Sequence, residues 1–250
     1  MGFKIAVIIG GVSRDYKRNY EQFFKMLGNE NVDIYIYTWN LFRDSGDIHK
    51  KFTELNNTFR PIKSEMHDYD SFSKTIDDRV AFFNSLKWTQ GGFNLRTGLM
   101  AQHYTIKKAF EMIPDYYDYD IIIRYRFDWQ PLFVLDWDTI YTLSRNNLLY
   151  PNQKTPGLKG DVAKVVYGAE DGVYRINDLF AIGSAEIMKT YCSLFDTMLT
   201  DEYIDDVKKT GCFIPEYIMA LHLERNGVCK LAYDFPYFNI SKVTDRKLGG

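Results

Sequence analysis

The chain has 250 residues, 46% hydrophobic and 16% aromatic, enough to bury a large core in one domain or one domain with an embellishment. Its 31 basic and 33 acidic residues leave a formal charge of −2, which offers no bulk attraction for nucleic acid. Three widely spaced cysteines, Cys192, Cys212 and Cys229, form neither a zinc-ligand pattern nor a disulfide framework, so the expected setting is reducing and cytoplasmic.

The opening MGFKIAVIIGG reads as a strand and a glycine turn rather than a signal peptide, and Ala6 stands where a myristoylation signal needs Ser or Thr. No apolar run reaches the ~18–20 residues of a transmembrane helix. Residues 3–9 predict a parallel-type strand, and Gly10-Gly11-Val12-Ser13-Arg14 the turn after it. A helix is expected from Ser13, with Tyr16, Tyr20, Phe23, Phe24 and Leu27 as its apolar stripe and Gly28 near its end. Residues 32–38 predict a second strand, leading into Trp39 and Asn40. In such a strand–turn–helix–strand unit a nucleotide lies at the first turn. Neither GxGxxG nor Gly-Lys-Ser/Thr occurs, which weighs against the usual dinucleotide and P-loop readings.

Between residues 40 and 93, Asp44-Ser45-Gly46-Asp47 and Asn56-Asn57 read as loop, and residues 71–86 as a helix. A well-patterned helix is expected over about 95–113, with His103 on its apolar face as a core histidine, before Pro114 ends it. Then comes YYDYDIIIRYRFDWQP. Tyr119, Ile121, Ile122, Ile123 and Tyr125 make the apolar run of a strand covered on both faces, with Arg124, Arg126 and Asp128 at its far end. Ligands of open α/β sheets sit at that end. Two guanidinium groups and a carboxylate there suit an anion, with or without a metal; the plainer alternative is a solvated Arg–Asp ion pair.

Asp136 and Asp138 read as helix-capping acids rather than a metal pair. Residues 147–150 predict a short strand, and residues 151–175, rich in Gly and Pro, a loop too long for a mere connection, of the kind that is either a functional lid or disordered. A strand over 176–183 begins at Asn177-Asp178, and Ser184 opens a helix to Met198. Residues 201–210 are charged and expected at the surface. Pro215-Glu216 opens a last helix that ends at Asn226-Gly227; His222 on it reads as an exposed or capping histidine in preference to a late metal ligand, and residues 228–233 form a final strand.

The segments KIAVIIGGVSR, DIYIYTWN, AQHYTIKKAFEMI, YDYDIIIRYRFDW, INDLFAIGSAEIMKTY and PEYIMALHLERNGV together resemble small GT-A-type glycosyltransferase-like proteins of polysaccharide biosynthesis from bacteria and large DNA viruses. The resemblance covers most of residues 3–233 and rests on order and spacing. It implies an α/β, Rossmann-related GT-A fold: one domain over residues 1–240 with a mostly parallel mixed sheet flanked by helices, then a polar tail at 241–250. It also implies transfer from a nucleoside-diphosphate sugar to a glycan or other hydroxyl acceptor, in a bacterial or host cytoplasm.

By position and resemblance, Gly10, Gly11, Ser13, Arg14, Thr38 and Trp39 would border the nucleotide, and Arg14, Arg124 and Arg126 would supply charge for the diphosphate. Asp128 falls where GT-A enzymes carry the D-x-D carboxylates that hold Mn²⁺ or Mg²⁺, so the resemblance implies that it holds the metal or the ribose. Here Phe127-Asp128-Trp129-Gln130 provides one carboxylate instead of two. Glu216, at a helix start, and Asp178, at a strand rim, are equal candidates for the base that deprotonates an acceptor in an inverting reaction. The alternatives are a non-catalytic nucleotide- or carbohydrate-binding module on a degenerate glycosyltransferase fold, and a nucleotidyltransferase, for which no glycine-rich basic triphosphate loop is present.

Overall fold

Side-chain alternation in the first strand, β1 (Ile5–Gly11), sends Ile5, Val7 and Ile9 to one face of a sheet and Ala6 and Ile8 to the other, all essentially sealed from solvent. A strand with two apolar faces needs a helical layer on each, and the chain supplies both. The structure, a computed structural model, describes residues 2–28, 30–42, 46–85, 97–151, 179–201, 203–205 and 215–233.

Seven strands are described: β1, β2 (Val32–Trp39), β3 (Lys63–His67), β4 (Ile121–Tyr125), β5 (Leu148–Pro151), β6 (Phe180–Gly183) and β7 (Lys230–Tyr233). Their order across the sheet is β3-β2-β1-β4-β6-β5-β7. Every pairing is parallel except those of β6, which runs against both β4 and β5. One face carries α1 (Tyr16–Leu27), α2 (Ile48–Phe59) and α5 (Trp137–Ser144). The other carries α3 (Tyr69–Ser85), α4 (Thr97–Glu111), α6 (Ala185–Cys192), α7 (Leu194–Met198) and α8 (Pro215–Arg225). The expected fold, a mostly parallel mixed sheet between helical layers, is the observed one.

Several boundaries shift for local reasons. The loop expected around Asp47 is a helix start: the Asp47 carboxylate accepts from the amides of His49 and Lys50 and caps α2. Strand β3 is polar because it is an edge; Lys63 and Glu65 lie exposed along it, as edge strands require. The helix expected to run to Met198 breaks at Ser193 into α6 and α7. Ser184 occupies the N-cap position of α6 but makes no side-chain capping bond. Within the stretch expected at the surface, Tyr203 and Ile204 are buried. Residues 152–178, including the expected long loop, and the tail at 241–250 lie outside the described residues. Among the described residues, no helix is long and apolar enough to cross a membrane.

Candidate functional site

Strands β2, β1 and β4 are adjacent and parallel, so the chain leaves all three at one edge of the sheet. A cavity of about 180 Å³ lies there. Gly10, Gly11, Val12 and Arg14 come from β1 and its turn, Trp39 and Leu41 from the end of β2, and Arg126, Phe127 and Asp128 from the end of β4. Tyr69 of α3 and Gly98, Ala101 and Gln102 of α4 close the wall. A larger depression, about 980 Å³, lies between α1 and α2, but it gathers its charge from surface side chains such as the Lys17–Glu54 pair. The strand-end cavity is the better site, because a glycine turn, a helix start and a semi-buried charged pair converge on it.

The turn after β1 is held in an uncommon shape. Gly11 has φ +125°, the Arg14 amide donates to the Val12 carbonyl at 2.7 Å, and Asp15 has φ 54°. Such backbone strain concentrates at sites that hold ligands. It also explains why α1 begins at Tyr16 rather than at Ser13. Gly10 serves a different need. An added Cβ would stand 2.8 Å from the Ile106 amide nitrogen, so the missing side chain lets α4 press against β1 and brings its first turns to the cavity.

The end of β2 is braced from two sides. Thr38, fully buried, donates from Oγ1 to the Gly11 carbonyl at 2.8 Å, tying the two strand ends together. Trp39 stacks on Tyr104 with 5.7 Å between centroids and packs against Phe72 and Tyr69, so its ring is a wall of the cavity and 1% exposed. Asn40 donates from Nδ2 to Asp68 Oδ1 at 2.5 Å and accepts from the Tyr69 amide at 3.0 Å. Asp68 in turn caps α3; hydrogen bonds from Ser71 and then from Asn40 hold its carboxyl below the usual carboxylate range.

The end of β4 holds the charged pair. Arg126 donates from Nε to Asp128 Oδ1 at 2.8 Å and from Nη2 to Oδ2 at 2.7 Å, a bidentate fork whose side chains are only 12% and 17% exposed. The turn that presents them is fixed from below. Asn19 of α1 donates to the Phe127 carbonyl at 2.8 Å, and Tyr125 donates from its hydroxyl to the Trp129 carbonyl at 2.6 Å. Burial, and then the Asp128 charge, push the Tyr125 phenol well up, so it remains a donor.

The two arginines expected to share a pocket are separated. Arg124 is 0% exposed and donates from Nη1 to the Leu179 carbonyl at 2.6 Å, bracing the approach to β6. Its charge is also felt by the buried thiol of Cys192 on α6, which burial pushes up and Arg124 pulls down. The reason for the split is that β4 ends at Tyr125. Arg126 stands beyond the strand, in a turn, where strand alternation no longer governs its direction.

Gly10, Gly11, Arg14, Trp39, Arg126 and Asp128 therefore border one cavity, whereas Thr38 and Arg124 are buried and are not part of its wall. Ser13 is also buried, at 4% exposure, and its Oγ has no hydrogen-bond partner among the described residues. Glu216 lies in the first turn of α8, with its side chain outside the described residues, as is the whole of Asp178. His222 is neither exposed nor a cap. Its Nε2 donates to the Thr190 carbonyl at 2.8 Å, and its Nδ1 lies 3.2 Å from Thr197 Oγ1. Asn19 and Asn40, which hold the two loops, were not among the expected site residues.

The described residues do not fit a divalent cation at Asp128. Both oxygens of that carboxylate are engaged by Arg126, and among the described residues no three His, Cys, Asp or Glu side chains gather as metal ligands. Hard divalent cations want several oxygen ligands. This wall offers one carboxylate beside two guanidinium groups.

Comparison with solved structures places the architecture. The chain resembles mouse xyloside xylosyltransferase 1 in its apo form, with a TM-score of 0.50 and 8% identity over 94% of this chain and 86% of that one. Another similar structure is the galactosyltransferase LgtC in complex with donor and acceptor sugar analogs, at a TM-score of 0.47 and 14% identity over 90% of this chain and 72% of that one. No protein-family model and no curated protein sequence matches the chain. At these identities the likeness concerns the fold, which is that of the GT-A glycosyltransferases.

Proposed function

We propose that the chain is a glycosyltransferase that moves a sugar from a nucleoside-diphosphate donor to a hydroxyl of a glycan or similar acceptor. One observation carries this reading: the strained turn after β1 and the Arg126–Asp128 pair after β4 border the same cavity at the sheet edge where such folds bind ligands. In the transfer, the bond between the anomeric carbon and the diphosphate oxygen breaks and its electron pair stays on the leaving phosphate. The acceptor oxygen bonds to that carbon and gives its proton to a base. Developing charge on the diphosphate needs fixed cations. Arg14 and Arg126 border the cavity for that purpose, and the first turns of α4 add the positive end of a helix dipole. Glu216 and Asp178 remain the candidates for the base, within a domain spanning residues 1–240.

Calorimetry with UDP, GDP, dTDP and CMP compounds tests the reading, and a protein that binds none of them is not such an enzyme. A second reading, a binding module without turnover, is favoured by the lone carboxylate. It predicts nucleotide binding with no release of nucleoside diphosphate from any sugar donor in the presence of acceptors.

A further inference from the structure

We infer that the Arg14 and Arg126 guanidinium groups take the place of a divalent cation at this site, and that Asp128 is a positioning residue that aims Arg126. The inference rests on the reading of the cavity as a nucleoside-diphosphate site.

Three observations lead to it. The first is the geometry of the fork. Both Asp128 oxygens face donors of one guanidinium, at 2.8 and 2.7 Å, so a cation would meet a carboxylate already neutralised by two charge-assisted bonds, with a guanidinium charge directly beside it. The second is the charge of the wall. Two guanidinium groups stand against one carboxylate among the described lining residues, a net positive surface that favours a phosphate and opposes a second cation.

The third is the support. Asn19 holds the Phe127 carbonyl and Tyr125 holds the Trp129 carbonyl, so the Arg126–Trp129 turn is anchored on both sides of Asp128. The carboxylate then fixes the plane of the Arg126 guanidinium at the cavity wall. With its Nε–Nη2 edge turned to Asp128, the guanidinium would meet a diphosphate oxygen pair through its Nη1–Nη2 end, a planar geometry that lysine could not reproduce. The task a metal performs on a leaving diphosphate, neutralising charge at a fixed point, is thereby met by side chains that are already in place.

The test is calorimetric titration of the same nucleoside diphosphates into the full chain, in EDTA and again in excess Mn²⁺. Equal affinity in the two conditions is the expected result. Binding that requires Mn²⁺ overturns the inference and leaves the proposed function standing. Absence of binding in both overturns the two together. A double-mutant cycle then examines Asp128, with each variant's fold checked by circular dichroism. Arg126→Ala should weaken binding roughly 10- to 100-fold, the value of a charge-assisted contact. Asp128→Asn should weaken it about 10-fold alone and not at all in the Arg126→Ala background, because its effect passes through that arginine. A full Asp128→Asn effect that persists without Arg126 overturns the positioning role. Because the EDTA comparison uses the unaltered protein, it decides the metal question even if a variant fails to fold.

Discussion

Gly10 of β1 and Ile106 of α4 meet backbone to backbone, with 2.8 Å between the place a Cβ would occupy and the Ile106 amide nitrogen. The Thr105 carbonyl carbon, also 2.8 Å away, leaves no flexible side chain to yield. Gly10→Ala should therefore push α4 off the sheet and cost about 2–3 kcal/mol, the scale of overpacking, as read from urea denaturation. Gly11→Ala should cost about 1–2 kcal/mol for a different reason: among the described residues, none beyond its chain neighbours comes within 4 Å of its Cβ position, and φ +125° is what opposes a side chain.

Asn19 is the hidden support of the charged turn. Replacing it with Ala leaves the buried Phe127 carbonyl without its 2.8 Å donor. The expected loss is about 1–3 kcal/mol of stability. Nucleotide affinity should fall as well, although Asn19 does not border the cavity. Stability that drops while affinity stays unchanged would show that the turn does not need this anchor.

Arg124 and Arg126 should differ in their effect on nucleotide binding. Arg124→Met strands the Leu179 carbonyl and should cost about 2–3 kcal/mol in urea denaturation, with nucleotide affinity of the folded protein preserved. Arg126→Ala should instead weaken nucleotide binding, and it also costs about 2–3 kcal/mol of stability, because it leaves the Asp128 carboxylate, 17% exposed, without its guanidinium. Calorimetry beside denaturation on both variants checks the contrast.

His222 makes the fold sensitive to acid. Burial lowers its pKa, against the raising effect of the Thr190 carbonyl, so the folded protein holds the imidazole neutral further into acid than the unfolded chain does. With the folded value below the unfolded one of about 6.5, the unfolded state binds more protons as pH falls past that point. This contribution is complete above pH 6.5 and declines toward the lower folded pKa. His222→Gln should be less stable at neutral pH and should lose less on acidification, which thermal melts across pH 5–8 would reveal.

The sequence makes the central strands legible because burial on two faces leaves an unbroken apolar run, as in IAVII and DIIIRY. It hides α2 and β3 because α2 carries only Leu55 and Phe59 into the core, and β3 is an edge whose polarity reads as loop. At the site, the glycine turn, Arg14, Arg126 and Asp128 follow from their positions at strand ends. The separation of Arg124 from Arg126 does not, because it depends on where β4 stops. Asn19 is equally opaque. An asparagine within the α1 sequence carries no sign that a carbonyl 108 residues later needs a donor.

Strand β6 is a keystone. Among the described strands it alone joins the block β3-β2-β1-β4 to β5, and it arrives in the chain after both of its neighbours. Until it is seated, β4 and β5 each present an unsatisfied edge, and the sheet exists as two unconnected pieces. In chain order the middle of the sheet therefore closes late, with only the edge strand β7 still to be added against β5. A nascent chain released before Gly183 would leave the edges of β4 and β5 that β6 covers open to pairing with another chain.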